Sequence, residues 1–584
     1  MWRKIIITSF LLLPVWSSQA QSAEDMEKIL RLTGYESPED LDAYEVERLS
    51  SFIERPLKIN AVSQSSLRSS GLFTSYQTAS LLDYRSCHGD IMSYSELSSV
   101  DGFTESSVQK LAPFISLEGG DIVRSRDGYV INDLAFRAGC KTADMKMTGG
   151  YGLKYRCKAG ETLSLSLAAS QTYAGSLGIP DLFSGSLVWE PQRRSFRLIA
   201  GDFNARFGQG LALWNGMSMT GLSKVSSYLR TSSGLSSSWS FTGSSAHTGI
   251  AGEYSFSRFR ISAFLSLPED KSKDLSLLPA LNIGWYGRNM SVSVTHYMEF
   301  MSSASGEVPL YLPDMKTSAD MAMCIDGTDL FSEVAFDWVN MKAAALYGVI
   351  FPVGEDVRIA SHLRYYPAGF NPVRSAAPRT VSKCTNEYGI SVCSDYTPRT
   401  GRFSGSLSLD SAFLPQGKDD QRHSIHARII ADTEVRMSDV LTVKVRLSER
   451  IRTWGLPFKT DLRTDLVWSS GGFSITGRYN ILKYVGTGNL GFIEGGYKNE
   501  RFSVYLKQLV FDIDNWDDRI YAYERDAPGS FSVPAFYGRG MNTSFMTSWR
   551  FSRWGRLYAK GTFTYGQKKK SGKAGLKLQC VFSF

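Results

Sequence analysis

Two glycine turns in the N-terminal part of the chain each precede a threonine that can cap a helix. Such a turn lets backbone N–H groups approach an anion at a helix N-terminus, and nearby Lys or Arg side chains add electrostatic attraction. This combination predicts contact with a phosphate backbone. The candidate nucleic-acid-binding residues are Gly71, Thr74, Arg85, Gly102, Thr104 and Lys110.

The charge around these turns favours another role for the same residues. Four basic side chains in this stretch face five acidic ones, whereas a non-specific DNA binder normally carries several uncompensated cations. The alternative is a packing or docking module that binds a periplasmic protein and uses its glycines only as helix caps. Both interpretations stay open at the level of sequence.

Basic residues also occur in the polar phase of several alternating segments in the C-terminal part. If those segments are strands of a closed barrel, the polar phase faces the lumen, and a lumen lined in this way favours anions. The alternative is that these charges are neutralised by Asp and Glu of neighbouring strands. The candidate lumen residues are Arg428, Lys444, Arg446, Arg478 and Lys560.

A glycine-rich stretch at residues 207–216 is followed by a serine-rich stretch at 232–245. Non-helical backbone at membrane depth is tolerated only inside protein or in a water-filled lumen. Two interpretations remain: the stretch folds inward as a plug, or it forms an ordinary surface loop with a bulge.

Catalytic and metal-binding motifs are not found in the sequence. The six histidines occur without a His-Glu-x-x-His helix or a Gly-x-Ser-x-Gly elbow, and the seven cysteines lack metal-ligand spacing. We therefore expect no catalytic residue, no metal, no cofactor and no enzymatic activity. Cys384 and Cys393 are close enough in sequence for a disulfide to close a loop, but the spacing does not establish one.

The elements that position these residues begin with a signal peptide. Arg3 and Lys4 precede an apolar run, and Ser18-Gln19-Ala20 fits a cleavage site, so we expect residues 1–20 to be removed on export. Residues 21–56 show helical periodicity. Residues 21–118 contain 16 acidic and 8 basic side chains, whereas residues 119–584 carry a net charge of +14, so an acidic head precedes a basic body.

Residues 57–118 contain two copies of one unit, a short helix, a glycine turn and a second helix. Thr74-x-x-Gln77 and Ser93-x-x-Glu96 are capping boxes, and Thr104 caps a helix that runs to Leu111. The sequence therefore predicts a small all-α domain.

From about residue 127 the period changes from 3.6 to 2, as in strands with one apolar and one polar face. At roughly 20 residues per strand and connection, this part accommodates about 20 to 24 strands, too many for one soluble sandwich. The last segment alternates in the same way and ends on Phe584. Residues 119–584 therefore predict a large antiparallel transmembrane β-barrel, and no stretch is long and apolar enough for a helical span.

Two resemblances extend this reading. Pro56 to Ala61, Leu81 to Arg85 and Val100 to Phe103 resemble the helix-hairpin-helix domain of ComEA-type competence DNA receptors, although a single glycine stands in each turn. This resemblance implies DNA binding or uptake.

The segment from Ala200 to Gly216 resembles uncharacterised Bacteroidota outer-membrane β-barrel proteins that carry an N-terminal helix-hairpin-helix domain. The terminal amphipathic strand resembles the signal that is read by the barrel assembly machinery. Together they imply a Gram-negative outer membrane, with that lipid and that machinery as partners and the head in the periplasm. Besides DNA binding, a docking or assembly protein and a porin-like channel stay open.

Overall fold

The computed structural model describes residues 25–33, 43–54, 56–60, 62, 67, 70–117 and 130–584. Within the last range, short segments lie outside the described residues: 144–145, 161, 192–194, 216–221, 240–245, 268–274, 288, 303–310, 382, 399–400, 418–422, 452–456, 531 and 568–570. The expected signal peptide also lies outside them, as does the expected first helix of the first repeat unit, residues 63–70, apart from Leu67 and Ser70.

The described N-terminal residues form five helices. Their bounds are α1 (Asp25–Thr33), α2 (Ala43–Glu54), α3 (Ser75–His88), α4 (Tyr94–Leu97) and α5 (Glu105–Leu111). They pack around a common apolar cluster that includes Ile29, Leu49, Leu81 and Phe114. Leu57–Lys58 and Ile115–Ser116 form a short parallel pairing. This pairing joins the beginning and the end of the part of the head that contains the two glycine turns.

The helix starts follow the capping chemistry that the sequence predicts. Thr74 and Gln77 form a reciprocal capping box at α3, and Thr104 caps α5. Ser93 caps α4 by accepting from the backbone N–H of Glu96, but the Glu96 carboxylate accepts from the N–H of Met92 at 2.8 Å instead of that of Ser93. The predicted second box is therefore only half formed.

Within the described residues, 24 strands form one closed antiparallel barrel. Their bounds are β1 (Val130–Ala143), β2 (Lys146–Ala159), β3 (Leu163–Ala174), β4 (Leu182–Trp189), β5 (Phe196–Arg206), β6 (His247–Phe256), β7 (Phe259–Leu267), β8 (Leu275–Tyr286), β9 (Met290–Ser302), β10 (Tyr311–Ile325), β11 (Thr328–Asp337), β12 (Lys342–Val353), β13 (Val357–Tyr366), β14 (Glu387–Tyr396), β15 (Phe403–Leu414), β16 (Ser424–Arg436), β17 (Leu441–Ile451), β18 (Lys459–Ser470), β19 (Phe473–Lys483), β20 (Thr487–Lys498), β21 (Phe502–Ile513), β22 (Gly538–Ser552), β23 (Gly555–Gly566) and β24 (Ser571–Ser583). Pairing of β24 with β1 closes the barrel.

The alternation along the strands separates an apolar outer surface from a polar interior. In β24, Leu576 and Leu578 are each 44% exposed, while Gln579 between Leu578 and Cys580 is buried. The same period places Ile493 of β20 and Leu409 of β15 on the outer surface. Large exposed apolar side chains on every side of a closed barrel match a lipid-facing surface. The predicted β-barrel is confirmed, at the upper end of the expected strand number.

The two ends of the barrel differ in their connections. At the end where β1 begins and β24 ends, neighbouring strands are joined by short turns such as 257–258, 326–327 and 471–472. We call this the short-turn end. At the opposite, long-connection end, three long segments leave the wall at 207–246, 367–386 and 514–537. All three have residues buried inside the barrel, and they determine what space remains in the lumen.

Among the described residues, no helix has both the length and the apolar character needed to cross a bilayer.

Candidate functional site

The lumen is divided between a packed plug and an open cavity. We define the plug as the described residues of 207–246 and 367–386. Its segments bond to each other, since the N–H of Trp214 donates to the carbonyl of Arg374 at 3.0 Å and that of Ala376 to Gly210 at 2.9 Å. The predicted inward fold of the glycine-rich stretch is confirmed, and the surface-loop alternative is wrong for its described part.

A buried carboxylate from the barrel wall fixes the first turn of the plug. Glu333 of β11 accepts from the backbone N–H groups of Gln209 at 2.7 Å, Leu211 at 2.9 Å and Ala212 at 3.1 Å. The approach requires glycine at position 208, where φ is +60° and an added Cβ would lie 2.7 Å from the carboxylate. The conformation at the glycine-rich turn is thus set by an anion from the wall.

The second plug segment is held by another buried charge cluster. Arg364 of β13 contacts Glu387 of β14 at 2.9 Å and Asp410 of β15 at 2.6 Å, and it donates to the hydroxyl of Thr380 in the plug at 2.9 Å. Because the arginine is paired with two carboxylates, its burial is compensated. The second plug segment is therefore bonded to three neighbouring strands of the wall.

The plug reaches from the long-connection end to the N-terminal helices. Asp395, at the short-turn end of β14, accepts from the N–H of Val225 at 2.9 Å. Beside it, Lys224 pairs with Glu45 of α2 at 3.4 Å, and Arg48 of α2 donates to the carbonyl of Ser226 at 3.2 Å. The head is thus docked on the plug at the short-turn end.

The third long segment crosses the other side of the lumen. We call the described residues of 523–534 the strap. Its Arg525 pairs with Glu494 of β20 at 2.7 Å, and its Asp526 pairs with Lys577 of β24 at 2.8 Å and Lys560 of β23 at 3.2 Å. These contacts anchor the strap to β20, β23 and β24.

A cavity of about 2010 Å³ lies between the strap and strands β1, β3 and β18 to β24. Its lining includes Gly471 and Asn499 from turns at the short-turn end, and Tyr173 and Lys573 from the long-connection end. The cavity therefore extends along the whole height of the barrel. Arg31 of α1 and Lys110 of α5 also line it, so the helices border its opening at the short-turn end.

The lining of this cavity is strongly cationic. Twelve lysines and arginines contribute to it, against three carboxylates. Two of those carboxylates, Glu524 and Asp526, belong to the strap. In a low-dielectric wall such an excess of one charge focuses the field and raises the local concentration of the opposite ion.

The five candidate lumen residues lie on the inner face, and four of them lie on strands with acidic cross-strand neighbours. Arg446 pairs with Asp432 at 2.7 Å and donates to the hydroxyl of Ser223 in the plug at 3.3 Å. Arg478 pairs with Asp465 at 2.6 Å. These contacts favour neutralisation by neighbouring strands over an open cationic wall.

Two of the remaining three follow the same pattern, whereas Lys560 is paired with the strap. The Nζ of Lys444 lies 3.9 Å from the Glu434 carboxylate, and Arg428 stands directly opposite Asp410 in the strand register. Lys560 contacts Glu524 and Asp526 of the strap, at 3.2 Å each. Lys560 alone among the five lines the cavity. The expected cationic surface thus lies mainly on other residues.

The candidate nucleic-acid residues around the glycine turns are used in packing. Gly71 has φ +65°, and a Cβ there would lie 2.7 Å from the guanidinium of Arg48. Gly102 has φ +83° and packs on the ring of Tyr76. Thr74 and Thr104 serve as helix caps. Each turn is therefore close to a side chain of the head itself.

The two cations among these candidate residues, Arg85 and Lys110, have different surroundings. Arg85 donates to the carbonyls of Asn60 at 2.6 Å and Val62 at 3.2 Å, which fixes the loop before α3. Lys110 is exposed on α5 and lines the cavity. The contacts of Arg85 favour the packing alternative over phosphate binding.

Sequence reasoning missed Glu333, Arg364 and the strap. The two wall residues follow the ordinary polar phase of their strands, so their role depends on what the plug presents to them. The strap had a weaker signal: residues 514–537 form a long interval without period-two alternation between two alternating strands.

Cysteine and metal chemistry do not contribute to the site. All seven cysteines are free, Cys384 and Cys393 included, so the disulfide considered from their spacing is not formed. In the ranges that the structure describes, no group of three or more His, Cys, Asp or Glu is placed to hold a metal ion.

Comparison with known proteins gives fold-level similarities. No protein-family model and no curated protein matches the chain. Among solved structures, the translocation pore of the P pilus usher PapC is 10% identical with a TM-score of 0.37, and the match covers 78% of this chain and 99% of that one. The ferric enterobactin receptor PfeA of Pseudomonas aeruginosa is 8% identical with a TM-score of 0.41, covering 79% and 81%. OccK11 of the same organism is 10% identical with a TM-score of 0.31, covering 78% and 97%. Similarity at this level carries no functional argument.

Proposed function

We propose that the chain is an outer-membrane β-barrel that conducts anionic solutes through the cavity beside its plug. The closed barrel with an apolar outer surface supports placement in a membrane. By the usual asymmetry of such barrels, the short-turn end faces the periplasm, which places the N-terminal helices there. This function corresponds to the porin-like alternative of the sequence analysis.

The observation that carries the proposal is the charge of the cavity lining. An excess of lysines and arginines along the full height of the barrel attracts anions and repels cations. Tyr173, Tyr505 and Tyr558 add flat surfaces with polar edges between these charges. The plug closes the other side of the lumen, so solute passage is confined to this wall.

The test is the reversal potential of the full-length protein in planar bilayers under a KCl gradient. We expect the potential to move toward the chloride equilibrium potential. The double substitution K141E/K573E, which reverses two lining charges at the long-connection end, is expected to shift it toward potassium. The matched control is Arg539→Gln, because Arg539 lies in an exposed ion pair outside the cavity lining.

Two results would overturn the proposal. One is a cation-selective or non-conducting wild-type barrel that has been shown to be folded. The other is an unchanged reversal potential in the double variant, because the lining charges would then not lie in the conduction path.

For the head, we propose that residues 57–118 form a helix-hairpin-helix pair that packs against α2, and that the head docks on the plug through α2. The contacts of Arg48 with Ser226 and of Gly71 with Arg48 support this role. DNA binding by the head rests on the resemblance to competence receptors alone, and the internal bonding of Arg85 weighs against it. Salt-dependent DNA binding by full-length protein separates the two, since phosphate contacts are strongest at low ionic strength.

A further inference from the structure

Three cations of the barrel wall converge on the strap from the seam between the last strands and the first. Lys560 of β23 and Lys577 of β24 both contact the carboxylate of Asp526, and Arg137 of β1 donates to the hydroxyl of Ser530 at 3.1 Å. All three cations line the cavity. The side chain of Lys560 is 7% exposed and that of Asp526 is 4% exposed, whereas that of Lys577 is 17% exposed, so the cluster is largely buried but can be reached from the cavity.

The geometry resembles that of a bound anion. Lys577 donates to both oxygens of Asp526, at 2.8 and 2.9 Å, and Lys560 donates to one of them at 3.2 Å. Two ammonium groups on one carboxylate, with a guanidinium and a hydroxyl beside them, suit an oxyanion with several acceptor oxygens. The strap supplies the carboxylate from the lumen side, where a solute in the cavity would approach.

We propose that Lys560, Lys577 and Arg137 form an oxyanion-binding subsite that Asp526 occupies in the closed state of the strap. A phosphate, sulfate or carboxylate group of a solute displaces Asp526 and takes its place. The strap then loses the two ion pairs that Asp526 makes with β23 and β24 and shifts at Asp526, while Glu524 keeps its contact with Lys560 and Arg525 keeps its contact with Glu494. The inference rests on the proposed conduction of anions and adds to it a subsite and an internal competitor.

The competition has a measurable consequence. With a tethered carboxylate as competitor, the apparent affinity of the subsite for a free oxyanion equals the intrinsic affinity multiplied by the fraction of time for which the site is vacant. If the site is vacant for about a tenth of the time, removing the competitor raises the apparent affinity about tenfold. The same removal takes one carboxylate from the cavity lining and leaves Lys577 without this partner, while Lys560 keeps Glu524, so conductance and anion selectivity both rise.

The experiment compares the full-length protein with Asp526→Asn and Lys577→Gln in planar bilayers, using inorganic phosphate as the probe. In Asp526→Asn we expect higher conductance in KCl and inhibition of chloride current at about tenfold lower phosphate. In Lys577→Gln we expect higher conductance as well, but weaker inhibition than in the wild type. The control is Asp512→Asn, which breaks an exposed ion pair away from the strap.

The opposite behaviour of the two variants toward phosphate is the decisive readout. A strap that is only structural predicts the same response in both, and such a result overturns the subsite. Heat-modifiable migration in gels confirms that each barrel is folded, and Asp526→Glu, which keeps the charge, is expected to restore the wild-type response. Wild-type anion selectivity with unchanged phosphate inhibition in Asp526→Asn refutes this inference alone. A wild-type barrel without anion selectivity refutes the proposed function.

Discussion

Replacing Glu333 by glutamine tests whether the barrel wall fixes the plug. The carboxylate accepts three backbone N–H groups from the glycine-rich turn, and it is buried. Glutamine retains one acceptor oxygen and turns an amide toward the donors, so at least one N–H loses its acceptor. A buried donor left without a partner costs about 1–3 kcal/mol, and hydrogen bonds to a charged group are stronger than those to a neutral one.

The expected weakening of plug docking is therefore about 2–4 kcal/mol, after the recovered desolvation of the buried charge is set against the lost bonds. Since each 1.4 kcal/mol is a factor of ten, opening of this turn becomes about 30 to 700 times more frequent. Hydrogen–deuterium exchange of peptides covering residues 207–213 in the detergent-solubilised full-length protein measures this change. The strand peptides of β16 to β20 are expected to keep their protection.

The control for this experiment is Glu500→Gln, an exposed position in the turn between β20 and β21 that lines the cavity. Unchanged exchange at 207–213 in Glu333→Gln would refute the reasoning, because the turn would then be held by something other than the three bonds. Loss of protection across the whole barrel would also contradict it, since the claim concerns the plug and not the wall.

Three further predictions concern the head. Gly71→Ala is expected to destabilise the head by more than about 1 kcal/mol, because φ is positive and the new Cβ meets Arg48. The control is Gly89→Ala, where φ is also positive but the new Cβ enters open space, so only backbone strain is added. The rates of proteolysis of the two variants measure the difference. Arg48→Ala is expected to release the head from the plug and to increase cross-linking of Lys110 to soluble reagents. Glu45→Ala removes only the ion pair with Lys224, whose two side chains are partly exposed, and is expected to have a smaller effect. The pKa of Glu96 is lowered, chiefly because the carboxylate accepts from the backbone N–H of Met92. The ionised carboxylate therefore stabilises the head above the ordinary pKa of 4.5, and this stabilisation is lost as the pH falls through the lowered pKa. Glu96→Gln is expected to remove the corresponding acid-dependent step in the protease sensitivity of α3 and α4.

The wall of the barrel was predictable because its determinants are local. Period-two alternation needs no knowledge of the partner strand, and β24 shows the same two faces in sequence and in structure. The helix caps at Thr74 and Thr104 were predictable for the same reason, since each involves only residues three positions apart.

The contents of the lumen were not predictable to the same degree. Glu333 looks like any inward polar residue until the turn at 208–212 lies against it, 121 to 124 positions away in sequence. Likewise, whether a lumen lysine is neutralised depends on strand register, which a single sequence does not specify. Lys444 and Arg446 have acidic cross-strand neighbours, whereas the excess of cations on the β1 and β20 to β24 side emerges only when distant strands are joined.

The strap also has a consequence for biogenesis of the barrel. It bonds to both sides of the closing seam, through Lys577 and Gln579 on the last strand and Arg137 on the first. These bonds cannot all exist until the two terminal strands are adjacent. Strap docking is therefore a late event in assembly, and it ties together the one junction of the wall whose partners are furthest apart in the chain.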